Sequence, residues 1–226
     1  PPSDTDPRGI GKAGGVYGPW DRGEAWDFQN HMAVGQFYNV AVDDSTPYRV
    51  GGGLQDNGSW IGPSESVFQD EGAFMGRKGA MTNGDWTFVF GGDGFHVIFD
   101  PTDDDVVYAE WQGGNVKRVH LDTGAVYDMK PAPKEGELRF RFNWNAPMIL
   151  SPHDPETLYI AGNHVFRLTE RGDRWDMISP DLTHAELEVV SAVGSDAETA
   201  GTIVSLAESP VAEGTLWAGT DDGRLH

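Results

Sequence analysis

The sequence predicts an all-β chain of about four four-stranded antiparallel β-propeller blades belonging to a larger ring, and three observations predict it. The first is a phrase that occurs four times: a polar stretch rich in acid and proline, an apolar-aromatic run ending near glycine, a tight polar turn, and a second apolar run. Its aromatic anchors are Tyr48, Tyr108, Tyr159 and Trp217. The second is spacing: the anchors are 60, 51 and 58 residues apart, and propeller blades recur at roughly 40 to 50 residues plus insertions. The third is composition: 30 glycines and 14 prolines lie between short apolar runs, which suits many turns and suits helices poorly.

Taken in order, residues 14–26 read as a strand, an acidic turn and the start of a second strand. They match the pattern Ser/Thr-x-Asp-x-Gly-x-x-Trp through Asp21, Gly23 and Trp26, with Pro19 in place of the hydroxyl residue. In such a turn the acid ties down backbone amides, glycine takes the positive φ and tryptophan packs between sheets. A worn copy places Glu170, Gly172 and Trp175 at the same positions, its tryptophan 149 residues after Trp26. Residues 36–42, 86–90, 95–99 and 116–121 are strand-length apolar or alternating runs bounded by Gly, Asp or Asn. Residues 129–137 read as a loop, and 179–201 as a polar insertion with room for one short helix at 184–190. The whole of 1–226 reads as one partial propeller segment, with repeats ending near 60, 115 and 168 and beyond 226. The last residues form a hairpin turn and the beginning of its return strand, so further sequence on both sides, or an unusual closure, is expected.

A chain of 226 residues with 38% hydrophobic residues can bury a real core. Its net charge of −20 opposes binding to nucleic acid and to anionic membranes. Cysteine is absent, which excludes disulfides and thiolate metal sites. No run approaches the roughly 20 apolar residues that span a bilayer. The start lacks both a signal sequence and a methionine, as expected of a processed chain or a piece of a larger one.

Residues 53–60, 92–95, 141–147, 151–155, 179–183 and 219–223, taken together, resemble bacterial BNR/Asp-box repeat proteins of the sortilin-like, glycosyl hydrolase-like propeller group. The likeness runs over nearly the whole chain. It implies a propeller, and it implies one of two activities. One is a secreted, periplasmic or cell-surface binding and assembly module for a protein, peptide or glycan, working with the rest of the ring or another subunit. The other is an extracellular glycoside hydrolase, sialidase- or xyloglucanase-like, acting on polysaccharide.

Glycoside hydrolysis needs two carboxyl groups, about 5 Å or about 6.5–9.5 Å apart. Asp56 and Asp93 are the candidates, in polar loops with Gln55, Asn57 and His96 close in sequence; a partner acid could also lie outside this segment. Residues 55–58 equally read as a hairpin turn built on Asn57-Gly58, the favoured type I′ pair, and the glycines around Asp93 serve a turn as well as a ligand. Arg139, Arg141, Asn143 and Asn145 alternate as one polar face of a strand, for a ligand or for a buried network between blades. Most tryptophans read as inter-blade core, although they could stack on sugars. Asp221 and Asp222 could hold calcium, a cation wanting several oxygens, or could simply be a solvated turn. Phosphate loops, zinc-protease pairs and nucleophile elbows are missing from the sequence.

Overall fold

The computed structural model describes residues 10–12, 15–18, 27–28, 35–67, 78–79, 82–137, 139–184 and 199–226. Asp21, Gly23, Trp26 and the expected helix after His184 lie outside the described residues. Strands β1 (Ile10–Lys12), β2 (Gly15–Gly18) and β3 (Asp27–Phe28) form a three-stranded antiparallel sheet. Among the described residues no helix is long and apolar enough to cross a membrane.

Three four-stranded antiparallel sheets follow, each with its strands side by side in chain order. Blade A comprises β4 (Phe37–Val42), β5 (Arg49–Leu54), β6 (Gly58–Pro63) and, after a small hairpin of β7 (Ser66–Val67) and β8 (Lys78–Gly79), β9 (Thr87–Phe90). Blade B holds β10 (Gly94–Phe99), β11 (Val106–Trp111), β12 (Asn115–His120) and β13 (Val126–Asp128). Blade C holds β14 (Met148–Leu150), β15 (Leu158–Ala161), β16 (Val165–Thr169) and β17 (Arg174–Met177). Blade D contributes β18 (Ile203–Glu208) and β19 (Leu216–Thr220), with Leu225 bridging back to Gly219. The first strands touch in succession, β4 on β10, β10 on β14 and β14 on β18, so they form the inner layer. The chain is an all-β array of propeller blades.

The repeated phrase follows from this arrangement. Its apolar half is the second strand of each blade; in β11 and β15 that strand is covered on both faces and lacks a polar side, whereas in β19 Trp217 is left 55% exposed. Along β11, Val106 and Tyr108 enter a core with Met148, Leu158, Ile160 and Phe166 of blade C. The intervening Val107 and Ala109 enter a core with Ile61 and Val89 of blade A. Strand β15 does the same: Leu158 and Ile160 face blade B, while Tyr159 and Ala161 join Ile203 and Ala218 of blade D. The two-residue period of a strand thus sends adjacent side chains into different seams.

The polar half of the phrase caps the turn between first and second strands. Asp43 accepts from the Ser45 hydroxyl at 2.8 Å and the Arg49 amide at 2.6 Å. Asp100 accepts the Thr102 amide at 2.8 Å, Asp154 the Glu156 amide at 3.0 Å, and Ser209 the Ala212 amide at 3.2 Å. These are Asx- and Ser-type turns, in which a short polar side chain replaces a backbone partner. Asp100 also reaches blade C, where Arg171 Nε donates to its Oδ2 at 2.9 Å. Glycine explains the close seam between blades A and B: a methyl at Gly53 would run into the backbone of Gly94 and Phe95.

Candidate functional site

Asp56, Asp93, Arg141, Asn143, Asp221 and Asp222 gather on one face, formed by the turns between second and third strands and by the segments leading into each new blade, whereas Glu170, Gly172 and Trp175 lie at the other end of blade C, after β16. The lead-in segments stitch neighbouring turns together. Asp93 Oδ1 accepts the Asp56 amide of blade A at 2.8 Å, while the Asp93 amide donates to Gln112 Oε1 in the turn of blade B at 2.7 Å. One blade further, the Arg141 amide donates to Asn163 Oδ1 at 2.9 Å, and the Gly113 amide donates to the Trp144 carbonyl at 3.0 Å. At the next, the Thr202 amide donates to Asp221 Oδ1 at 3.1 Å, and the Ile203 amide donates to the Gly162 carbonyl at 2.8 Å. Gln112, Asn163 and Asp221 are therefore equivalent, each a turn side chain that accepts an amide from the segment leading into its own blade.

The turn at 55–57 differs from the expected Asn57-Gly58 pair. The Asn57 amide donates to the Leu54 carbonyl at 3.4 Å, and the positive φ values fall at Asp56, 61°, and Gly58, 74°, on either side of Asn57. That sets Asp56 at the third position of a four-residue turn, with a positive φ that aspartate tolerates. Its amide is held by Asp93, and its side chain is exposed. Tyr38 OH donates to Gln55 Oε1 at 2.9 Å and its ring packs 4.5 Å from that of Phe95, while Asn57 Nδ2 donates to the Gln55 carbonyl at 3.0 Å.

Residues 139–145 do not form a strand. Arg141 and Asn143 are anchored by neighbouring segments, while the buried Asn145 Oδ1 is unpaired. Arg141 donates to the Gly201 carbonyl at 3.1 Å, to Asp181 Oδ2 at 2.7 Å and to the Thr183 hydroxyl at 3.0 Å, and Asn143 Nδ2 donates to the Thr202 hydroxyl at 3.1 Å. Burial pushes the Asp181 carboxyl up, but Asn163, Thr183 and Arg141 outweigh it and hold the group down at about 2. His96 is half-buried beneath this segment; desolvation takes its imidazole down to about 4 against a smaller pull from the Asn145 amide, so it is neutral at pH 7. Asp222 accepts from the Thr220 hydroxyl and from the His184 amide. Among the described residues no three His, Cys, Asp or Glu side chains are grouped to hold a metal ion. In the worn box, Gly172 has φ 89°, Glu170 pairs with Arg174 at 3.4 Å, and the Trp175 ring meets Phe166 at 5.8 Å.

Sequence reasoning misses Glu110. It lies fully buried in β11, with Oε1 accepting the Gly114 amide at 3.3 Å and Oε2 unpaired. Burial raises its pKa well above the usual carboxylate value, against opposing pulls from the Gly114, His96 and Ala146 amides and the Lys130 ammonium. A glutamate inside the otherwise apolar run Val106–Trp111 is the available signal. The folded state keeps this proton while the unfolded chain releases it above pH 4.5, so stability declines as pH rises from there, by up to about 1.4 kcal/mol per pH unit. Glu110→Gln is expected to flatten that decline and raise stability at pH 8, as read by urea unfolding at several pH values. A wild-type slope retained in the variant would refute this.

No family model matches the chain, and no curated protein matches it. Two solved structures that it resembles are a GH74 xyloglucanase from Xanthomonas campestris and a GH74 enzyme from Niastella koreensis. The first is 15% identical with a TM-score of 0.46, over 93% of this chain and 33% of that one. The second is 16% identical with a TM-score of 0.49, over 92% and 30%. The chain thus spans about a third of the length of each.

Proposed function

We propose that this chain is part of an Asp-box propeller that acts as a binding and assembly module, its stitched loop face presented to a protein, peptide or glycan outside the cell or in the periplasm. In this reading residues 1–226 are a single propeller segment, with 179–201 as an insertion. The observation that carries it is the equivalence of Asp221 with Gln112 and Asn163. Where uncharged amides do the same work as a carboxylate, the acid is present for its oxygen and not for its charge. Asp93 and Asp181 are likewise engaged with backbone or side-chain donors. A binding face made this way offers rigid backbone groups and exposed polar side chains on a fixed frame, as recognition requires.

A second reading, glycoside hydrolysis, is favoured by Asp56, an exposed acid next in sequence to Gln55, whose side chain accepts the Tyr38 hydroxyl. The two are separated by incubating the protein with neutral and sialylated oligosaccharides, following cleavage by mass spectrometry and retention on a glycan array, alongside Asp56→Ala and Asp93→Asn. The binding reading expects no cleavage, and for Asp93→Asn an altered stability rather than altered chemistry. Cleavage that disappears in either folded variant would replace it with the hydrolase.

A further inference from the structure

Away from the stitched loops, between blades A and B, a groove of about 320 Å³ opens on the opposite face where β5 starts and β6 and β12 end. Its lining includes the part-buried Pro63 and Leu121, with the buried Ile61 behind them, and three carboxylates, Asp85, Asp105 and Asp122. The Thr82 amide and hydroxyl donate to Asp85 at 2.6 and 2.9 Å and hold its pKa below the ordinary value, so it remains ionised. Asp122 accepts the Thr123 amide at 2.7 Å. The one cation in the described lining, Arg49, is already engaged: Nε pairs with Asp43 Oδ2 at 2.5 Å, and the guanidinium lies 5.0 Å from the centre of the Phe99 ring. It closes a wall and leaves the groove negative.

We propose that this groove docks a basic side chain, arginine or lysine, of a partner polypeptide. The ligand's aliphatic stem lies along Pro63 and Leu121, and its charged head lies on the side lined by the three carboxylates. Long basic side chains are the groups that combine an apolar stem with a cationic end, and a volume near 300 Å³ is at the small end of ligand-binding clefts. The net charge of −20 adds long-range attraction for a basic partner and repels an acidic one. The inference is independent of the other face and of whether that face binds or hydrolyses.

The test is a titration of isotope-labelled protein with N-acetyl-Leu-Arg-Leu amide, followed through the amide resonances of Gly62, Thr87 and Leu121. The control peptide replaces arginine with citrulline, which keeps shape and removes charge. Saturable shifts are expected, weakened about tenfold or more by citrulline, by Asp105→Asn with Asp122→Asn, and by high salt. Both aspartates sit on exposed turns, and circular dichroism confirms the fold of the double variant; Thr87→Trp, which fills the groove, gives an independent block. The proposal is overturned by an absence of saturable shifts, by equal binding of the citrulline peptide, by indifference to the aspartate substitutions, or by the same resonances responding to calcium chloride or a neutral oligosaccharide instead. Asp56→Ala and Asp93→Asn leave the titration unchanged, so its failure and that of the proposed function are read separately.

Discussion

Gly53→Ala is expected to cost about 3 kcal/mol or more and to leave little folded protein at physiological temperature. Strand β5 lies against the start of β10 at this point, and an added methyl would occupy the space of the Gly94 carbonyl and the Phe95 nitrogen. Backbone cannot swing aside as a side chain does, so the two blades must separate and the seam holding Val89, Val97 and Val107 must loosen with them. Gly91→Ala is the matched control, because its methyl would meet only the Phe88 ring at 3.8 Å, an ordinary contact. Thermal and urea unfolding of both variants decide the matter. Equal stability of the two would show that blades A and B do not approach this closely.

Asp100→Ala is expected to cost about 3 kcal/mol. Asp100 is 3% exposed and takes the Tyr108 hydroxyl at 2.7 Å, the Thr102 hydroxyl at 2.7 Å and amide at 2.8 Å, and Arg171 Nε at 2.9 Å. Its removal leaves the fully buried Tyr108 hydroxyl without an acceptor, which costs the desolvation of that group. The Arg171 side chain is 31% exposed and can recover water, which keeps the effect at the low end of the range for broken buried pairs. Burial pushes the Asp100 carboxyl up, but its hydrogen bonds to Thr102 and Tyr108, with Arg171, prevail and lower the pKa. A depressed folded-state value means stability that is present above the unfolded carboxylate pKa and is lost as pH falls below it. Acid unfolding should therefore lose part of its pH dependence in Asp100→Asn. A variant that retains the full acid transition and unfolds at the wild-type urea concentration would disprove the role.

Strands and turns are legible in the sequence because apolar runs such as 95–99 and 116–121 are bracketed by glycine and aspartate, and because both faces of β11 and β15 are covered. The turn at 55–57 misleads by its Asn-Gly pair: the Asp56 amide donates to the carboxylate of Asp93, 37 residues away in sequence, and no local preference encodes that. Residues 139–145 alternate as a strand would, yet their partners are the turn at Asn163 and the Gly201–Thr202 lead-in, so side chains that mimic a period of two are anchors to separate loops. Asp56 and Asp93 suggest a carboxylate pair because both sit in polar loops; the bond between them runs from the amide of one to the carboxylate of the other. Glu110 escapes notice because periodicity describes which residues are apolar and says little of the one polar group carried among them.

The alternation along β11 separates what the sequence places side by side. Val106 and Val107 are consecutive, yet one belongs to the joint shared with blade C and the other to the joint shared with blade A. A pair of neighbouring codons thus addresses two mechanically distinct joints, and either can be tuned, labelled or weakened while the other is left as it is.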